Sequence, residues 1–141
     1  MIKNGFKLIC KYLVLFLIGG IFYVCLELLW RGRSDITSFF MGGIALLVVG
    51  QLNEGYDYNM PIWYQMIISG TFITSMEYIV GKIFNSDYHI WDYRDMWLNI
   101  DGQVCLVYFL LWCLLSLMGI MLDDLIRWKF FGEDKPKYRW I

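Results

Sequence analysis

Long apolar stretches of helical length alternate along the chain with short polar breaks. The run from Tyr12 to Leu26 carries no charge, meets Glu27, and one turn later meets Trp30 and Arg31, side chains typical of a membrane–water boundary. Three further stretches follow, at about Thr37–Leu52, Pro61–Phe84 and Gln103–Leu122, and the first extends over about Leu8–Trp30. Each is near the roughly 20 residues a spanning helix needs, with the second at the lower limit. Pro61 stands where the first turn of a helix tolerates proline. The pattern predicts an all-α, four-helix transmembrane bundle, a single domain over 1–131, followed by a basic, mobile tail over 132–141.

The polar residues inside these stretches are regularly spaced. Gly20, Glu27 and Arg31 share one helical face, as do Gly70, Thr74, Glu77 and Gly81. Gly43, Gly50 and Glu54 repeat the arrangement in the second stretch, and Trp112, Ser116, Gly119, Asp123 and Arg127 in the fourth. A charge at the centre of a spanning helix costs roughly 2.5–3.5 kcal/mol on insertion scales, so these stripes should face the bundle interior. Stretches one and three both place glycine seven residues before a glutamate, and stretches two and four place glycine four residues before an acid. Two related helical hairpins would give that recurrence, with 85–101 as an insertion in the second, as in the parallel repeats of some transporters.

Composition agrees with lipid as the solvent. Of 141 residues 59% are hydrophobic and 19% aromatic, with a mean hydropathy of +0.51. A soluble chain near that length buries only about 68–70% of its surface, too little to hide so much apolar area. The net charge of −1 and the lack of a basic, aromatic-interleaved stripe argue against nucleic acid as a partner. Cys10, Cys25, Cys105 and Cys113 lie in apolar runs and His89 is the sole histidine, so neither a metal nor a cofactor is expected. Lys3, Lys7 and Lys11 precede the first run without a small-residue cleavage site, which reads as an uncleaved span. With four spans, eight of the twelve Lys and Arg fall on the side of the termini and four (Arg31, Arg33, Lys82, Arg94) on the other. Both termini are therefore expected in the cytoplasm of a cell with an inner membrane.

This topology gathers Glu27, Arg31, Arg33, Glu77, Asp92, Arg94, Asn99 and Gln103 at the outer face, as a ligand pocket or as an ion-pair network that locks the bundle. Glu27 and Arg31 can pair within one helix. Glu77 has no cation within its own turn, so it must find Arg31, Arg33, Arg94 or water, or hold a proton. Trp91-Asp92-Tyr93 either anchors its loop at headgroup level or forms a lid with Asp92 facing Arg31 or Arg33. At the inner face Asn53, Glu54, Asp123, Asp124 and Arg127 form a second polar cluster. The sequence holds no G-x-x-x-x-G-K-[ST], H-E-x-x-H or G-x-S-x-G, and no residue is assigned a catalytic role.

Together these residues resemble a known family. Glu27-x-x-Trp30-Arg31-Gly32-x-Ser34, Gly42-Gly43, Asn53-Glu54, Pro61, Gln65, Thr74, Glu77, Gly81 and Asn85 carry the first part of the likeness. Trp91-Asp92-Tyr93, Asn99-x-x-Gly102-Gln103, Asp123 and Arg127 carry the rest. The chain is similar in these to the bacterial ABC-transporter type IV, or CmpB-like permease, family. Asp35 stands where that family's pattern has histidine, and Arg94 where it has serine, so the outer cluster differs in charge. The resemblance implies a permease, and with the outer polar cluster the expected protein binds or moves a small polar or ionic solute, as a homo-oligomer or beside a separate partner protein. An intramembrane enzyme using Glu and Asp as acid and base, and a holin-like pore or scaffold, are the alternatives.

Overall fold

A computed structural model describes residues 2–55 and 60–141, apart from the side chains of Ile2 and Asn53. It contains four helices, α1 (Ile2–Arg31), α2 (Ile36–Gly55), α3 (Ile62–Phe84) and α4 (Leu106–Phe131), and no strand among the described residues. Most of the expected loop from Asn53 to Met60 lies outside the described residues. Three helices, α1, α3 and α4, are long and apolar enough to cross a membrane. The apolar part of α2, Ile36–Leu52, is shorter. A helix of that length rises about 25 Å, against a hydrocarbon core of ~30 Å.

Local chemistry sets the helix ends. Gly32, at φ +70°, closes α1 in the left-handed conformation that a side chain would disfavour, and its N–H donates to the Leu28 carbonyl (3.0 Å). Three residues on, Asp35 Oδ1 accepts from the Thr37 N–H (2.9 Å) and hydroxyl (2.7 Å), capping the start of α2. Those bonds hold the Asp35 carboxyl below its ordinary range. Pro61 sits one residue outside α3, as its cap. Gly132, at φ +69°, ends α4.

Neighbouring helices run antiparallel, and the two hairpins pack through close backbone approach. A Cβ on Gly19 would lie 2.6 Å from the Gly42 carbonyl oxygen, and one on Gly70 would lie 2.3 Å from Cys113 Sγ. Between hairpins α2 and α4 cross in parallel at the centre, with Gly50 against the Asp123 carboxylate, while α1 and α3 do not touch. The hairpins share one burial register. Leu15, Gly19, Gly20 and Glu27 are buried in α1, and Gln65, Ser69, Gly70 and Glu77, fifty positions on, are buried in α3. In α2 and α4 the buried pairs are Gly42 with Trp112, Leu46 with Ser116, and Gly50 with Ile120, now seventy apart. The second hairpin therefore carries about twenty additional residues in its loop, as the sequence pattern implies.

The interior is unusually polar. Among the described residues eleven buried side chains are polar or charged, against thirteen buried apolar ones. Large apolar side chains cover the outside instead, including Leu13, Leu17 and Ile21 on α1 and Leu110, Leu114, Met118 and Leu125 on α4. That inversion suits a chain solvated by lipid. The tail, which composition reads as mobile, folds back over the end that carries both termini. Glu133 pairs with Lys11 (2.5 Å), the Tyr138 hydroxyl donates to Asp124 (2.8 Å), and the Ile62 N–H donates to the Arg139 carbonyl (2.7 Å).

Candidate functional site

The end opposite the termini is organised by the connection from α3 to α4. Asn85, fully buried at the end of α3, donates to the Trp91 carbonyl (2.7 Å) and to Gln103 Oε1 (3.1 Å) and accepts from the Ile90 N–H (2.8 Å). Gln103 returns a bond to the Asn85 carbonyl (2.9 Å), and the Trp91 indole donates to the Gln103 carbonyl (2.9 Å). A buried amide pair satisfied on this scale holds a loop in one conformation. Asn99 does the same locally, bonding the Arg94 and Met96 carbonyls and the Gly102 N–H. Gln103 and Asn99, expected among the ligand-binding residues, thus have their polar groups engaged in shaping the loop.

The first helix meets this loop through its charged end. Glu27 accepts from Arg31 (2.5 Å) and from the Ser34 hydroxyl (2.7 Å). Arg31 also donates to the Ile90 carbonyl (2.8 Å), which ties α1 to the loop. Asp92 pairs with Arg94 two residues away, through bonds of 2.9 and 2.7 Å, rather than with Arg31 or Arg33. The Arg94 guanidinium pulls the Asp92 carboxyl down to about 2. Tyr78 and Lys82 donate to Asp101, which is lowered for the same reason.

Glu77 has partners the sequence did not indicate. Its two oxygens accept from the Tyr93 hydroxyl (3.0 Å) and the Trp112 indole N–H (3.0 Å), and it is 3% exposed. None of Arg31, Arg33 and Arg94 bonds it. Burial in the loop, and next the charge of Glu77, raise the pKa of Tyr93, which keeps its proton on the donor side of this bond. Glu77 therefore joins α3, α4 and the loop at one point.

Beside that junction lies a cavity of about 470 Å³ between α1, α4 and the loop. Aromatic rings form much of its wall: Tyr93 stacks on Tyr108 (4.4 Å between centroids), and Trp112 lies 6.3 Å from Tyr108 and 5.5 Å from Tyr23. Of the residues the sequence singled out, Glu27, Arg31, Arg33 and Asp92 line it, whereas Glu77, Arg94, Asn99 and Gln103 do not. Glu77 lines a smaller chamber of about 80 Å³ directly below. Tyr93, which the sequence offered as part of a lid, lines the cavity, and Tyr23 and Tyr108 shape it without having been singled out. An aromatic at a membrane boundary is expected whatever its role, so composition gave no signal for them.

At the opposite end Asp123 and Arg127 form a fully buried ion pair (2.7 Å), deeper than the interfacial position the sequence suggested. Arg127 also approaches Glu133 (3.7 Å) and the Tyr12 ring. A second cavity of about 280 Å³ opens there, lined by Glu54, Asp124, Arg127, Glu133 and Asp134. Asn53, expected in this cluster, has its side chain outside the described residues. Among the described residues no group of three or more His, Cys, Asp and Glu is placed to hold a metal ion.

Neither the curated proteins nor the solved structures give a match to this chain. One family does, and its extent covers nearly everything described above, both hairpins and the connecting loop included. The chain belongs to the family described as "Putative ABC-transporter type IV", whose model matches residues 14–137.

Proposed function

We propose that this membrane protein is permease-like, and that the cavity between α1, α4 and the 85–105 loop receives its solute, a small molecule with an anionic group on an apolar body. One observation carries the reading. Of the charged side chains lining the cavity, Glu27 is matched by Arg31 and Asp92 by Arg94, whereas Arg33 has no acidic partner among the described residues. A guanidinium beside aromatic walls suits a carboxylate carried on a flat or apolar group. Family membership supports a transport role, and the excess of Lys and Arg on the side of the termini supports a cavity open to the outside of a bacterial inner membrane. The chain carries no phosphate-binding loop, so an ATP-driven step would need a partner subunit, and assembly with a partner or with copies of itself belongs to the proposal.

Thermal unfolding in lipid nanodiscs tests the charge preference. Benzoate should raise Tm, benzyl alcohol and benzylammonium should not, and Arg33→Gln should remove the benzoate effect. Stabilisation by benzylammonium alone, or an undiminished benzoate effect in Arg33→Gln, would refute the anionic reading.

A further inference from the structure

We propose that the ligand is a long-chain carboxylate drawn from the bilayer, with its head at Arg33 and its chain in the apolar chamber beneath the aromatic walls. This rests on the reading of the outer cavity as the binding site. The cavity and the chamber are continuous, because Tyr23, Leu26, Trp112 and Leu115 line both. Below those four residues the chamber is walled by carbon, from Phe22 on α1 and from Met41, Ala45 and Leu46 on α2. The one carboxylate there, Glu77, has each oxygen engaged once, by Tyr93 and by Trp112. A charged compartment above and an apolar one below are the two halves of an amphiphile's environment.

Charge and width narrow the class. Arg33 is a single unmatched cation, and Glu27 and Asp92 stand on the same walls, so a monoanion is matched while a doubly charged head would be repelled. The chamber is small, about 80 Å³, so it receives only the end of a chain whose upper part lies in the wider cavity above. Access from the side is available, since α1 and α4 face each other across the cavity and pack over less of their length than either hairpin does internally. An acyl chain gains almost nothing on leaving lipid for an equally apolar groove, because the hydrophobic effect requires removal from water. Selectivity must therefore come from the head at Arg33, and the chain sets which membrane components fit.

Photo-cross-linking in nanodiscs tests this with a fatty acid carrying a diazirine near its chain end, alongside competition by unlabelled carboxylates at equal mole fraction in the membrane. The expected result is saturable labelling of Met41, Leu46 or Leu115, with dodecanoate competing for it. Dodecanol should compete poorly, and Arg33→Gln should lower labelling several-fold. Labelling confined to the outer face (Leu13, Leu114, Ile79) and not saturable identifies bulk lipid contact and overturns the proposal. If benzoate stabilises the protein and depends on Arg33 while the chain-end probe labels none of Met41, Leu46 and Leu115, the amphiphile inference fails and the cavity reading stands. If neither benzoate nor the long chain binds, both fail.

Discussion

Glu77 shows most sharply how a buried carboxyl group is accommodated in this molecule. A lone carboxylate in a spanning helix calls for a counter-ion, and the sequence offers three arginines at the same end. The structure supplies two neutral donors instead, from Tyr93 in the loop and Trp112 on α4. The arginines are engaged elsewhere or, like Arg33, face the cavity. Glutamine at 77 can still accept from the Trp112 indole, while alanine orphans both donors at about 1–3 kcal/mol each. Glu77→Gln should therefore unfold within a few degrees of the parent in nanodiscs, with Glu77→Ala clearly lower. An equal and large loss in both would mean that the negative charge itself, and hence a cation, stabilises the fold. Charge position was legible in the sequence because it follows from spacing. The partner was not, since a hydroxyl sixteen residues away meets Glu77 only once the loop has closed.

Among the elements, the hairpins repay the stripe argument, though unevenly. Gly20 faces Phe39 and Gly70 faces Cys113, both at distances no Cβ could tolerate. Gly19, which the spacing passed over, packs directly on the Gly42 backbone. Gly119 lies on its expected stripe, but a Cβ there would meet Leu46 and Val49 at an ordinary 3.8 Å. Alanine at Gly19 should thus cost about 1–3 kcal/mol by overpacking, whereas alanine at Gly119 should be neutral. Thermal unfolding of the two variants checks this, and equal effects would place the tight contact elsewhere. Although α1 begins at Ile2, a turn and a half before the expected Leu8, four helices, the end of α1, the start of α2 and both ends of α3 could be read from apolar length and from glycine and proline punctuation. The extension of α4 to Phe131 could not, because its last turns are amphipathic and are held by contacts with the tail and α1.

For the molecule as a whole, the two ends are chemically different. The end with both termini is closed by the tail and by the buried Asp123–Arg127 pair, and the other end opens into an aromatic cavity with one unmatched arginine. We propose, from the Lys and Arg distribution, that the end with both termini faces the cytoplasm. In intact cells carrying a variant without the four native cysteines, an impermeant maleimide should label a cysteine at Ser86 and spare one at Lys137. The reverse pattern would turn the cavity inward.

We propose that the aromatic cavity at the loop end holds an anion at Arg33, and a crystal structure with 4-bromobenzoate would show it, because bromine can be located by anomalous scattering. A bromine peak is expected among Tyr23, Tyr108 and Trp112, with the carboxylate on Arg33. A peak in the opposite cavity beside Arg127, with none in this one, would contradict it.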